Sequence, residues 1–214
     1  MGAPAGYRVR RVLMEADRVA RTLARMAHEI VERHPSLDGL VLVGVQTRGV
    51  PLARRLAELV GKAGGARPPV GALDITLYRD DLTTIAPNPV LKGTDIPCSI
   101  DGRTVLLADD VLYTGRTVRA ALDELVDFGR PARIELAVLV DRGRRELPVQ
   151  ADYAGDRVVT SADEIVQVLL REEDGGDRVV LLGKERRPAN RAPEASRGPA
   201  RPGSRAGRRR RVRA

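Results

Sequence analysis

The 214-residue chain is long enough for one domain with a substantial core plus a tail, and short for two such domains. Hydrophobic residues make up 43% and charged residues 31%, which fits neither a membrane-spanning chain nor one disordered throughout. The net charge of +8 would point to nucleic acid if it were spread evenly, but residues 184–214 hold 12 Lys/Arg against 2 Asp/Glu, a net of +10, while residues 1–183 hold 25 against 27, a net of −2. That tail has eleven Arg, four Pro and three Gly, and Val212 is its only long aliphatic residue. It buries too little apolar surface to offset its ordering entropy, so a disordered Arg-rich tail is predicted over residues 184–214. It is either a solvated extension or a binder of phosphate backbones with steep salt dependence. Cys98 is the single cysteine, so no internal disulfide is expected. The sequence contains no basic-then-apolar leader and no apolar run of about 18 residues, and a cytoplasmic protein without membrane contact is expected.

Between residues 16 and 31, Val19, Ala20, Leu23, Met26, Ala27 and Ile30 fall three or four apart, the spacing of one helical face. Residues 39–45 (GLVLVGV) form a short apolar run suited to a strand buried on both faces of a parallel sheet. A helix is predicted over 51–60, a strand over 71–78 (GALDITLY), and a long loop without periodicity over 79–101. Residues 104–108 read as a strand, 116–128 as a helix closed by Gly129 and Pro131, and 134–140 (IELAVLV) as a further strand. Short strands are predicted over 157–160, 165–170 and 178–182, the last two forming a β-hairpin around residues 174–177 (DGGD). This alternation predicts an α/β fold.

Ligands of open α/β sheets bind beyond the carboxyl ends of the strands. After the third predicted strand the chain reads VLLADDVLYTGRT over residues 105–117, so an apolar strand meets two adjacent carboxylates, Asp109 and Asp110. Thr114, Gly115, Arg116 and Thr117 then stand where a helix begins. Such a turn offers backbone N–H groups, hydroxyls and the positive end of a helix dipole to a phosphate. The paired carboxylates can accept hydrogen bonds from two ribose hydroxyls. A capped helix after an acidic turn would use the same residues. The coincidence of strand, acid pair and phosphate turn favours a ribose 5-phosphate site.

This stretch resembles the phosphoribosyl pyrophosphate (PRPP) signature of type I phosphoribosyltransferases, and VLYTGRT resembles the PyrR subgroup, pyrimidine-operon regulators that are also uracil phosphoribosyltransferases. The resemblance covers about residues 13–183 and includes residues 25–33 (RMAHEIVER), 44–49 (GVQTRG), 74–82 (DITLYRDDL) and 137–147 (AVLVDRGRREL). It implies a phosphoribosyltransferase domain over residues 1–183: a mainly parallel central sheet flanked by helices, with a small hood and a C-terminal β-hairpin. Asp109 and Asp110 would hold the ribose hydroxyls, and the turn comprising Val111, Leu112, Tyr113, Thr114, Gly115, Arg116 and Thr117 would hold the 5-phosphate. Thr47 and Arg48 would contact pyrophosphate in a loop with a strained or cis peptide. The resemblance thus makes Asp109, Asp110 and Arg48 the catalytic group. Tyr78 and Arg79 would open a mobile hood over PRPP, although Tyr78 would equally suit a packed strand end. Asp141 would act on Mg²⁺, directly or through water, with Arg142 near pyrophosphate, while Val159 and Thr160 would border the uracil. The reaction implied is uracil plus PRPP giving UMP and pyrophosphate, with no nucleophilic side chain required.

The resemblance also implies a homodimer or higher homo-oligomer that binds the leader of pyrimidine-gene mRNA under control of UMP or UTP. Arg25, His28, Arg33, Arg144 and Arg145 match the residues of that basic face. Arg144 replaces a usual histidine, Gln150 a usual basic residue, and Asp156–Arg157 a usual Lys-Asn pair. With five aromatic residues in the chain, RNA affinity would rest on Arg and Lys contacts. Two other functions remain open from sequence: a nucleotide-sensing RNA regulator with little turnover, and a purine phosphoribosyltransferase.

Overall fold

The computed structural model describes residues 4–78 and 93–185. Five parallel strands form the central sheet in the order β3-β2-β4-β5-β6. They are β2 (Leu40–Val45), β3 (Val70–Leu73), β4 (Thr104–Leu112), β5 (Arg133–Asp141) and β6 (Tyr153–Arg157). Alternate side chains face opposite layers, as the pleat requires. Leu42, Leu106 and Leu139 enter one core with Leu23, Met26 and Ile30 of α1 (Ala16–Arg33) and Leu52 and Leu56 of α2 (Gly49–Gly64). Val43, Leu107 and Val138 enter the other with Val118, Ala121 and Leu125 of α3 (Arg116–Phe128). Burial on both faces explains why these strands are nearly uninterrupted apolar runs.

A second, antiparallel sheet has the order β1-β8-β7. The hairpin of β7 (Glu164–Leu169) and β8 (Arg178–Lys184) matches the expected pair, with a helical turn α4 (Arg171–Asp174) between its strands. Strand β1 (Tyr7–Glu15) was not expected. Its sequence YRVRRVLME lacks a clean alternation, and only Met14 is buried, so its partner β8 defines it and its own pattern does not. Two register irregularities, between Val9 and Arg11 and between Val12 and Met14, further blur the period of two.

Three predicted boundaries are corrected. The strand expected over 71–78 stops at Leu73, because Asp74 accepts hydrogen bonds from the Thr76 amide at 3.1 Å and its hydroxyl at 2.5 Å, folding residues Ile75–Tyr78 into a 3-10 turn. The strand expected over 104–108 continues to Leu112, so Asp109 and Asp110 are strand residues and not the turn after a strand. The strand expected over 157–160 lies earlier, at Tyr153–Arg157, where it pairs with β5. Much of the long loop, residues 79–92 with Arg79, lies outside the described residues, as do residues 186–214 of the Arg-rich tail. Where the chain resumes, Gly93 donates to Asp74 at 3.0 Å and Asp95 bridges to Ala72. No helix among the described residues is long and apolar enough to cross a membrane.

Candidate active site

The carboxyl ends of β2, β4 and β5 converge on three cavities. The first, of about 230 Å³, is lined by Gln46, Thr47 and Arg48 from the β2–α2 turn and by Asp109, Asp110 and Thr117. Its loop can sit this low because Gly49 has no side chain: a Cβ there would lie 2.4 Å from the Ala108 carbonyl oxygen. The Gln46–Thr47 peptide is cis. Asp109 is buried and its Oδ1 accepts the Asp110 amide at 2.9 Å, while Asp110 Oδ1 accepts the Val111 amide at 2.8 Å. Burial pushes the Asp110 carboxyl above its ordinary value, opposed first by the Arg48 charge and then by the Val111 amide. Arg48 therefore favours the charged form of this carboxyl against the effect of burial.

Arg48 is itself clasped. Its Nε and Nη2 donate to the two carboxylate oxygens of Asp174 at 3.1 and 2.8 Å, a bidentate pair to a residue 126 positions away in the β7–β8 turn. Asp174 Oδ2 also accepts the Leu170 amide at 3.0 Å. Burial alone would raise Asp174, but Arg48 and that amide outweigh it and hold the carboxyl below the usual range. Nearby, Arg55 of α2 pairs with Glu172 and Asp177, so the hairpin turn is fixed to α2 at two points.

The second cavity, of about 360 Å³, adjoins the first through Val111 and Thr117 and is bounded by residues 111–118 and Glu146. It includes Leu112, Tyr113, Thr114, Gly115 and Arg116, so the turn singled out in the sequence encloses space of its own at the start of α3. Gly115 has φ +94°, a conformation that favours glycine, and a Cβ there would also meet Leu147 at 3.3 Å. The turn is braced from the β5–β6 connection: Thr114 O accepts the Glu146 and Leu147 amides, and Arg116 pairs with Glu146 at 2.8 Å.

The third cavity, of about 380 Å³, is bounded by Asp141, Arg142, Arg145, Gln150, Arg157 and Val159. Val159 is almost fully exposed, whereas Thr160 is buried and accepts a 2.7 Å hydrogen bond from Arg142 Nε. Arg142 also donates to the Ser161 and Glu164 carbonyls and stacks over the Tyr113 ring at 3.9 Å. Burial lowers the pKa of this guanidinium, and Tyr113 opposes the shift. Asp141 Oδ1 accepts both the Gly143 amide at 2.9 Å and Arg145 at 2.6 Å. Tyr78 stands apart: its hydroxyl donates to Asp127 of α3 at 2.5 Å, and it lines none of the three cavities.

The residues expected to face RNA divide into two groups. Arg25 donates to the Ala154 and Gly155 carbonyls at 3.1 and 2.6 Å, and Arg33 donates to the Asp152 carbonyl at 3.2 Å and stacks over Tyr153. Both remain about half exposed, but their fixed contacts cap the outer edge of β6. Arg145 is turned inward, binding the Val149, Tyr113 and Gly143 carbonyls as well as Asp141. His28 and Arg144 are exposed, and Arg144 has the unusual φ of +58°.

A phosphoribosyl transferase domain model matches residues 13–174. The bifunctional protein PyrR of Pelotomaculum thermopropionicum is 57% identical over 170 residues, covering 79% of this chain and 94% of that protein. The chain belongs to the PyrR family. The PyrR proteins of Chloroflexus aurantiacus and Thermus aquaticus are 58% and 57% identical, covering 93% and 96% of those proteins. A hypoxanthine phosphoribosyltransferase of Trypanosoma cruzi shares the fold, with a TM-score of 0.63 at 17% identity over 83% of this chain and 98% of that one. The corresponding Staphylococcus aureus enzyme has a TM-score of 0.60 at 20% identity over 83% and 93%.

Within this PyrR chain, Asp174 and Glu146 were not legible as site residues, and Gly49 was legible only as a member of the pyrophosphate loop. The DGGD segment containing Asp174 was legible as a turn, yet nothing in it signals that its first carboxylate reaches Arg48. Gly49 carried a signal, as the glycine ending GVQTRG, but its contact with Ala108 depends on packing across two strands.

Proposed function

We propose that the chain transfers the phosphoribosyl group of PRPP to uracil, giving UMP and pyrophosphate, and that uridine nucleotides at this site control binding to the leader of pyrimidine-gene mRNA. The observation that carries the catalytic reading is the adjoining pair of cavities along one continuous segment, with Asp109 and Asp110 in one and the Thr114–Thr117 turn in the other. A ribose 5-phosphate laid along β4 would set its hydroxyls against the carboxylates and its phosphate on the N-terminus of α3. The uracil ring nitrogen would attack the anomeric carbon as the bond to pyrophosphate breaks, and the ring N–H proton would pass to the departing pyrophosphate or to water. The transition state would carry positive charge on the sugar, which negative charge on the Asp109/Asp110 pair would offset. Thr47 and Arg48 would border the pyrophosphate side; Arg142, which the resemblance sets near pyrophosphate, is tied to Thr160 and is assigned with Val159 and Thr160 to the base side.

Hard carboxylate oxygens around phosphate-binding space fit Mg²⁺. The described residues contain no cluster of three or more His, Cys, Asp or Glu able to hold a metal, so the other positions would be filled by PRPP oxygens and water. Asp109, Asp110 and Asp141 are the residues that would hold the ion, directly or through water, since each has one carboxylate oxygen taken by a backbone amide. The ion would supply charge neutralisation of the leaving pyrophosphate.

The test is UMP formation from uracil and PRPP with Mg²⁺, with hypoxanthine and orotate as competing bases. Turnover of uracil alone is expected. Binding of UMP without turnover of any base would establish a nucleotide sensor, and turnover of hypoxanthine would establish a purine enzyme. RNA control is tested by binding a labelled leader transcript with and without UMP, and assembly into a homodimer by sedimentation.

A further inference from the structure

Arg48 is placed by two separate means. Close packing of glycines fixes the backbone of residues 44–49: a Cβ on Gly44 would lie 2.4 Å from the Gly49 carbonyl oxygen, and one on Gly49 would lie 2.4 Å from that of Ala108. This packing does not reach the long side chain. Among the described residues its hydrogen bonds all go to Asp174, from Nε at 3.1 Å and Nη2 at 2.8 Å. Those bonds take one side of the guanidinium and two of its five N–H donors, and leave the end-on fork of Nη1 and Nη2 uncommitted. Such a fork matches two oxygens of a phosphate, and Arg48 lines the cavity of Asp109 and Asp110.

Asp174 is itself immobilised. Its side chain is 3% exposed, its amide donates to the Leu170 carbonyl at 2.7 Å, and its Oδ2 accepts the Leu170 amide at 3.0 Å. Gly175, with φ +80°, closes the turn. The same turn clasps a second arginine, Arg55, through Glu172 and Asp177 at 2.5 and 2.7 Å. The two clasps are alike in chemistry, but Arg55 lines none of the three site cavities, whereas Arg48 lines the first. The Arg55 clasp fastens the hairpin to α2, and the Arg48 clasp reaches into the site. We infer that Asp174 is a positioning residue for PRPP and pyrophosphate: it holds the Arg48 side chain so that the free fork is presented to the pyrophosphate group. The inference rests on the phosphoribosyltransferase reading above and assigns part of that site to a hairpin turn in the second sheet. UMP has the ribose and 5-phosphate but no pyrophosphate, so it does not use the clasp.

The test uses the full chain with Mg²⁺ and measures the Kd of PRPP, of pyrophosphate and of UMP by calorimetry, with KM and kcat for UMP formation alongside. Asp174→Asn is expected to bind PRPP and pyrophosphate about tenfold more weakly, because an unclasped side chain of this length must be ordered on binding. Its UMP affinity should change by less than about twofold and its kcat by less than about threefold. Arg48→Lys keeps the charge and the hairpin turn but has no fork to clasp, and the same selective loss of about tenfold is expected. In an Arg48→Gln background, Asp174→Asn should weaken pyrophosphate binding no further, since a residue acting through Arg48 has no effect without it. Asp177→Asn breaks the neighbouring clasp and is expected to lower stability in urea with the pyrophosphate Kd unchanged. Four results each overturn the assignment and leave the phosphoribosyltransferase reading standing: UMP affinity lost in Asp174→Asn as fully as pyrophosphate affinity, the same selective loss in Asp177→Asn, additivity with Arg48→Gln, or wild-type affinity in Arg48→Lys. A wild-type chain that binds PRPP but forms no UMP overturns the catalytic reading, and the Kd comparison still decides the role of Asp174. A wild-type chain that binds UMP but neither PRPP nor pyrophosphate overturns both.

Discussion

The β4–α3 junction and the α1–β6 face both carry residues marked out by family resemblance, but they are built differently. At the junction, residues 109–117 stay in sequence order, each one step along a strand or turn from the next. At the face, Arg25 and Arg33 meet backbone carbonyls about 120 to 130 residues away, and Arg18 meets Asp156. A contiguous site is formed as soon as its local geometry is formed, so residue type and spacing are enough to describe it. An assembled face depends on which donors the fold has already taken.

The comparison is sharpened most where the contiguous site leans on a distant residue. Asp174→Ala leaves the Arg48 guanidinium without its bidentate partner in a partly buried setting and is expected to cost about 3 kcal/mol in urea unfolding. It should also raise the KM for PRPP about tenfold while changing kcat less, because Arg48 is then poorly placed. The folded Asp174 carboxyl lies below its ordinary value of 3.8, so its contribution is present above that pH and is lost as pH falls through the folded value. The variant should therefore show a shallower loss of stability in acid, and an unchanged acid profile would mean that the clasp contributes little.

Next in size is Asp110→Asn, which keeps the shape and removes the charge. A fall of about 100-fold in kcat/KM for UMP formation is expected, equivalent to losing charge-assisted hydrogen bonds to the ribose. Undiminished turnover would remove Asp110 from the mechanism. The pH profile gives a finer measure. Protonation of Asp110 should inactivate the site at a pH above 3.8, and Arg48→Gln should move that acid limb higher still, since Arg48 is the main group opposing the upward shift. A limb that stays in place would show that Arg48 does not act on Asp110.

The smallest effect is expected on the assembled face. Arg25→Ala removes two hydrogen bonds to β6 carbonyls that remain near solvent, for about 1 kcal/mol of stability. If it instead abolished RNA binding with no loss of stability, Arg25 would be a contact residue and the division drawn here would fail.

Among the strands, legibility followed burial. β2, β4 and β5 were visible because both faces are covered, which forces long apolar runs such as LVLVGV. β1 was invisible because a basic edge strand with one buried side chain resembles a surface loop. The end of β3 was misplaced because Asp74 can bend the chain with its own carboxylate, a local competition that strand propensity does not register. Within the site, the acid pair and the phosphate turn were legible as chemistry, whereas the clasp on Arg48, the brace from Glu146 and the inward turn of Arg145 were not.

The alternation of strands and helices, the family, and the order of groups from Asp109 to Thr117 are written along the chain, because each is a property of sequence neighbours. Which arginine donors are taken up inside the fold is set by packing. An arginine reads the same in sequence whether its donors bind a carbonyl, a carboxylate or water, and the packing of α1, β1 and the hairpin turn settles which of these lies within reach.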